Sequence, residues 1–298
     1  KKGNYDVVHI NTSFNPKSYF RDSIFTLISK MLNYKTIVYW HGWKWGFEKK
    51  YAGKIVPYFH FTFGKADAMI CLANEFADQL KKYRYSRPIY LETTVVEDQI
   101  MQHDEIESSV SNYEIKNILF LSRVEKAKGI YETLDSFNTL INKYPNIKLN
   151  IAGTGNELER VKDYVNRQGI REVNFLGWVD DEDKLKVLGE ADIFVLASYS
   201  EGMPISVLEA MAMGLPVVTT NVGGVKDFFE DGQMGYKVEI GDSGDLKEKL
   251  EKLLSNDDLC KRMGNFNKHY ALNHFSSKSI CERLERIYES VIDRANNN

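Results

Sequence analysis

Residues 191–224 read ADIFVLASYSEGMPISVLEAMAMGLPVVTTNVGG. The apolar run Asp192 to Ala197 is a strand by its length and content. Glu201-Gly202-Met203-Pro204 follows it, and Pro204 is placed to open a helix over Ile205 to Met213 that Gly214 closes. Pro216 to Thr220 is the next strand, ending towards Gly223-Gly224. A strand, a loop, a helix and a second strand in one stretch is the unit from which parallel α/β sheets are built.

The same alternation extends in both directions. Upstream, Asn117 to Ser122, Ile147 to Ala152 and Val173 to Leu176 read as strands, separated by helical spacing over Ile130 to Tyr144, Asn156 to Gln168 and Asp181 to Gly189. Near the start, Asp6 to Ile10, Thr36 to Trp40, Ala68 to Leu72 and Ile89 to Leu91 read as further strands. Three helices end the chain, the last with Ile280, Leu284, Ile287 and Val291 on one face. From Val96 to Glu114 the sequence turns polar and acidic without a period, which suits a linker. The expected domains are 1–110, an incomplete first domain with its linker, and 111–275, with 276–298 a helix packing back towards the first.

In an open parallel sheet, ligands sit beyond the carboxyl ends of the strands. Arg123 and Lys128, Gly153 and Gly155, Trp178 and Val179, and Glu201 to Pro204 all fall at such ends. Glycines let a backbone approach a bulky ligand, and a helix N-terminus after Pro204 presents free N–H groups to an anion. Two cations on the same rim would offset the charge of a departing diphosphate without a metal. Glu201 and Glu209 frame EGMPISVLE, and carboxylates accept hydrogen bonds from sugar hydroxyls and from a ribose diol. Asp181 and Asp183 form a D-x-D, but acids at the start of a helix complement its dipole, so no metal site is expected there.

Composition bounds the class. The chain has 298 residues, 43% hydrophobic and 27% charged, the balance of a soluble globular protein with room for two domains. No apolar stretch reaches the roughly 20 residues of a membrane-spanning helix. Cys71, Cys260 and Cys281 are far apart, which indicates neither a disulfide framework nor a zinc site, and the cytosol is the default compartment. The net charge of -3 is unevenly spread. Residues 1–100 hold 15 Lys/Arg against 9 Asp/Glu and 20 of the 37 aromatic side chains. Such a third suits an aromatic-lined acceptor or a lipid–water boundary, and equally a basic solvated face over an aromatic core. The acidic remainder and the lack of a recognised motif argue against nucleic acid.

The 191–224 stretch closely resembles the donor-site signature of the retaining glycosyltransferases of family 4, the group-1 type with the GT-B fold. LSRVEKAKGI, IAGTGNELE and NFLGWV resemble that family's segments in the same order, and HFSSKSICERLERIYESVI its closing helix. The resemblance spans nearly all of residues 112–292 and, more loosely, 5–96. It implies an α/β, GT-B architecture of two Rossmann-like domains facing a cleft. It also implies transfer of a sugar from a UDP- or GDP-sugar to a glycan or lipid-linked acceptor in cell-surface polysaccharide synthesis. No cofactor beyond the donor is expected, and the enzyme is expected in the cytoplasm, peripherally attached at the inner membrane face.

Residue by residue, the resemblance assigns Arg123 and Lys128 to the diphosphate, Glu201 to the transferred sugar and Glu209 to the ribose. Gly202, Met203 and Pro204 would line the sugar diphosphate, Gly153 and Gly155 belong to the donor site, and Trp178 with Val179 would border the base. In VYWHGW, His41 matches a strand-end histidine near donor sugar and acceptor. Two departures stand out. The chain opens at KKGNYDVVHINTS, which resembles a later strand of the first domain, so the resemblance implies that the leading strands and Gly-rich loop are missing from this sequence, and YLETTVVE stands where many relatives have a Pro-Asn-Gly turn. A nucleotide-sugar 2-epimerase and a non-catalytic nucleotide-sugar-binding module are the competing readings.

Overall fold

Parallel strands cannot be joined by tight turns, so each pair requires a crossover, and helices supply it here. The computed structural model describes residues 5–102 and 115–296, and within them ten strands form two sheets in which every pair is parallel. The α/β class expected from the alternation is the one observed. The first sheet holds β1 (Val7–Phe14), β2 (Lys35–Trp43), β3 (Ala68–Cys71) and β4 (Ile89–Leu91) in the order β1-β2-β3-β4. The second holds β5 (Lys116–Leu121), β6 (Ile147–Ala152), β7 (Val173–Gly177), β8 (Ile193–Leu196), β9 (Val217–Thr220) and β10 (Gly235–Val238) in the order β10-β9-β8-β5-β6-β7.

The chain divides into two compact units: residues Lys1–Thr94 with Glu201–Met203 and Lys278–Asn298, and residues Val95–Ser200 with Pro204–Ser277. In the first unit β2 and β3 are buried through most of their length, which explains their unbroken apolar runs. Its core is aromatic. Phe14 stacks on Trp43 at 4.1 Å between centroids and touches Tyr19, Trp40 and Phe47. The carboxylate of Glu48, itself buried, accepts from Trp43 Nε1 at 2.9 Å and from Tyr83 Oη at 2.5 Å, and Gln79 donates to it as well, so the polar ends of the aromatic cluster are satisfied inside it.

The helix Pro16–Met31 starts with Asn15, whose Oδ1 accepts from the Ser18 N–H at 3.0 Å, and Pro16 fills the first turn. Its burial runs against the usual pattern. Ser23, Thr26 and Ser29 face inward with their hydroxyls bonded to Phe20 O, Asp22 O and Thr36 Oγ1, while Phe20, Ile24, Phe25, Ile28 and Met31 are exposed. The last helix, Ser277–Asn296, contributes Ile287 and Val291 to the first unit's core. Arg283 clamps the buried Glu92 through two hydrogen bonds of 2.8 Å.

In the second unit the strand order reverses at β5: β6 and β7 follow on one side, and the chain then crosses to β8 on the other. Asn267, buried in the helix Asp257–His274, donates to Leu215 O and Met234 O at 2.7 Å each and ties the approaches to β9 and β10 to that helix. Three expectations change. β2 runs on to Trp43, because Phe14 still pairs with Trp43 after a register shift, so His41 lies within a strand and not after one. The polar stretch from Val96, without a period in the sequence, contains the short helix Asp98–Met101, and Val96 N–H bonds Phe275 O at 3.0 Å. β10 was not anticipated, since four residues between turns carry too little alternation to register. The boundary expected near residue 110 and the opening residues 1–4 lie outside the described residues.

Truncating Phe14 to Ala removes the centre of the aromatic cluster and is expected to cost about 3–5 kcal/mol, whereas Phe20→Ala on the exposed stripe should stay within about 0.5 kcal/mol. Denaturant unfolding of the two variants beside the parent checks this, and equal midpoints for the two would contradict the packing described.

Candidate functional site

The reversal at β5 leaves the carboxyl ends of β5 and β8 side by side with their chains departing in different directions, the place where open α/β sheets take ligands. Backbone contacts hold the loops there in one row. Ser122 N–H bonds Ala152 O at 3.1 Å and Val124 N–H bonds Thr154 O at 2.9 Å, joining the loop after β5 to the loop after β6. Gly153 N–H bonds Gly177 O at 2.6 Å, joining the latter to the end of β7. On the other side, Tyr199 N–H bonds Ala127 O at 2.9 Å, which ties in the loop after β8.

Two of the glycines are explained by this row itself. A Cβ on Gly153 would lie 1.9 Å from Ser122 O, and one on Gly155 2.3 Å from Val124 O. Gly153 also sits at φ +139°, where side-chain-bearing residues are strained. Their lack of side chains is therefore required for loop to meet loop.

Arg123 stands two residues past β5, its side chain 66% exposed, with Nη1 donating to Glu125 Oε1 at 2.7 Å. Lys128 closes the short turn Lys126–Lys128 and is half-buried. Pro204 is the buried residue immediately ahead of the helix Ile205–Ala212, as expected. Trp178 and Val179 line a groove of about 450 Å³ with Asn117, Lys148, Asn150 and Asn174, so Trp178 borders a polar stretch of the sheet face and is itself largely exposed.

Glu209 is buried within its helix. Lys184 Nζ donates to Glu209 Oε1 at 2.8 Å and to Glu97 Oε1 at 3.0 Å. Burial pushes the Glu209 carboxyl above the usual carboxylate range, and the Lys184 ammonium works against that rise. Burial would lower Lys184, but its bonds and charge interactions with the two carboxylates outweigh it and leave its pKa raised. Lys184 carries no signal of its own in the sequence, because VDDEDK reads as acids opening a helix and both partners of the lysine lie far away along the chain. In the structure Asp181 and Asp183 occupy the first turn of the helix Asp181–Gly189. Among the described residues, no three His, Cys, Asp or Glu side chains are grouped to hold a metal ion.

The remaining predicted residues belong to the first unit. His41 Nε2 and Asn11 Oδ1 lie 2.7 Å apart, and the imidazole packs on Tyr39 with centroids at 4.1 Å. Gly202 abuts the same strand: a Cβ there would be 2.8 Å from His41 O. Met203 packs against the first unit's core, and Glu201 is half-buried. Surrounding protein, and then the charge of His9, lower the His41 pKa below the ordinary imidazole value, and burial does the same for His9, whose Nδ1 is 2.6 Å from Tyr288 Oη. His9 and Asn11 were also missed, although their i, i+2 spacing in VVHINTS puts them on one strand face with each other.

Because both imidazoles bind protons less readily folded than unfolded, their contribution is fully present above the unfolded value and is lost as pH falls below it. NMR titration should give midpoints below the ordinary histidine value for both rings, and replacing both with Gln should flatten the fall of stability between about pH 7 and pH 5.5. A midpoint at or above the ordinary value for either ring would contradict the environments described.

The sequence profile of the glycosyl transferases group 1 matches residues 101–270. The capsular polysaccharide biosynthesis glycosyltransferase CapM of Staphylococcus aureus is 32% identical over 176 residues, which cover 58% of this chain and 46% of CapM. The chain spans about half the length of the curated relatives it matches. Among solved structures, sucrose-phosphate synthase from Thermosynechococcus elongatus superposes with a TM-score of 0.80 at 18% identity, over 97% of this chain and 74% of that one. Anabaena HepE in complex with UDP and glucose superposes with a TM-score of 0.73 at 16% identity, over 96% and 78%. These likenesses establish the GT-B fold, and the profile match across more than half of the sequence establishes the lineage: the chain belongs to the glycosyl transferases group 1 family.

Proposed function

We propose that this chain is the greater part of a retaining, metal-independent glycosyltransferase that moves a sugar from a UDP- or GDP-sugar to a hydroxyl of a glycan or lipid-linked acceptor. One observation carries the reading: in a group 1 family member, the loops bearing Arg123, Lys128, Gly153 and Gly155 are bonded into one row at the strand-order reversal. Arg123 and Lys128 are assigned to the diphosphate. As the bond from anomeric carbon to phosphate oxygen breaks, their fixed charges meet the negative charge that develops, which is where electrostatic stabilisation lowers the barrier most. The helix start after Pro204 and the backbone of Gly202 and Met203 are assigned to the sugar diphosphate, Glu201 and His41 to the transferred sugar, Glu209 to the ribose, and Trp178 with Val179 to the border of the base.

With purified protein, UDP or GDP should raise the melting temperature, since a ligand of the native state stabilises it by mass action. Lys128→Ala is expected to slow transfer by about 100-fold or more and Glu201→Ala by a similar factor. Parent-like rates in both variants would refute these roles. Turnover of donor in the absence of any acceptor would favour the epimerase, and nucleotide binding without any transfer the non-catalytic module.

A role at the cytoplasmic membrane face in cell-surface polysaccharide synthesis is part of the same proposal. The relative CapM is named for capsular polysaccharide biosynthesis. The basic balance of residues 1–100 and the exposed stripe Phe20, Ile24, Phe25 and Ile28 support peripheral attachment to anionic lipid. Among the described residues no helix is long and apolar enough to cross a membrane. Vesicles with and without phosphatidylserine should retain the protein differently at low salt, and Phe25→Glu should weaken retention. Equal partitioning onto both vesicles would remove the membrane from the proposal.

A further inference from the structure

We propose that Lys184 is a positioning residue that holds the Glu209 carboxylate ionised and oriented to accept hydrogen bonds from the ribose hydroxyls of the donor nucleotide. The inference rests on the reading of Glu209 as the ribose-binding carboxylate.

Glu209 sits on the helix Ile205–Ala212 among Val207, Leu208, Ala210 and Met211, all buried, and its own side chain is 7% exposed. An isolated carboxylate in such surroundings would give up its charge by taking a proton, because desolvation disfavours the ionised form. Protonation would also turn one of its two acceptor oxygens into a donor. A ribose diol presents hydroxyl hydrogens in a pair and is matched by an ionised carboxylate.

Lys184 supplies the missing charge from the helix Asp181–Gly189. Its ammonium is 2.8 Å from Glu209 Oε1, leaving Oε2 for a ligand hydroxyl, and the Lys184 side chain is itself 16% exposed. A long lysine stem in water would sample many rotamers, but Glu97 receives a second bond at 3.0 Å and pins the ammonium from its other side. The result is a three-member chain, Glu97–Lys184–Glu209, in which the carboxylate at the buried end is held both in charge and in direction. Shifts in protonation agree with this geometry: the ammonium opposes the rise that burial imposes on Glu209.

The test is calorimetric titration of UDP and GDP, each beside its 2′-deoxy form, into the parent, Glu209→Gln, Lys184→Met, Lys184→Arg and the double variant Lys184→Met/Glu209→Gln. The parent should prefer the ribonucleotide by about tenfold, as for a hydrogen bond to a charged group. Glu209→Gln and Lys184→Met should each lose most of that preference, Lys184→Arg should keep it, and Lys184→Met should remove nothing further in the Glu209→Gln background. Should Lys184→Met fail to melt cooperatively, Lys184→Gln, of similar length and without charge, takes its place with the same loss expected.

A Lys184→Met protein that keeps the parent's preference overturns the proposal while leaving Glu209 as the ribose ligand. A further loss of nucleotide affinity from Lys184→Met in the Glu209→Gln background also overturns it, because Lys184 would then touch the nucleotide itself. Absence of any ribose preference in the parent defeats the reading of Glu209, and the proposal falls with it.

Discussion

The carbonyl oxygens of Ser122 and Val124 stand where Gly153 and Gly155 would otherwise carry side chains, and the second unit's rim is built on that contact. Strand ends in a twisted parallel sheet fan apart, so loops leaving them do not meet unless the backbones themselves come within hydrogen-bonding distance. Here they do, from the end of β7 through the loops after β6 and β5 to the loop after β8. The contact converts separate loops into one surface. Arg123 and Lys128 then ride on backbone hydrogen-bonded to neighbouring loops on either flank, so the place of neither cation depends on a free loop.

The same constraint divides what was legible in the sequence from what was not. Alternating apolar runs gave the class and most elements of both sheets, because strands buried on both faces must be apolar throughout. Glycines at strand ends were read as room for a ligand, yet at 153 and 155 the space is occupied by a neighbouring loop, and no pattern within one segment distinguishes a ligand from another stretch of backbone. The extension of β2 through His41 depends on a pairing with Phe14 some thirty residues away, so local composition placed the strand end too early. Strand β10 is too short for its period to rise above noise.

Side-chain partnerships were less legible still. Lys184 meets Glu209 across 25 residues and Glu97 across 87, and neither separation follows from helix or strand spacing. His9 and Asn11 come to His9's neighbour Tyr39 and to His41 only because β1 and β2 pair in one particular register. Motif spacing reports what one element presents on one face, whereas these constellations are set by which elements become neighbours.

The clamp of Arg283 on Glu92 bears on the order of events during synthesis. Glu92 is buried at the close of the first sheet, but its cation arrives with the final helix, almost two hundred residues later on the ribosome. Until then the first unit lacks both the cation that Glu92 is paired with and the side chains of Ile287 and Val291 that fill its core. The second unit, continuous from Val95 but for three residues, emerges whole before that helix does. Residues 5–94 are thus made well before the segment that completes their core, and the first unit can close only after the helix carrying Arg283, Ile287 and Val291 has followed them.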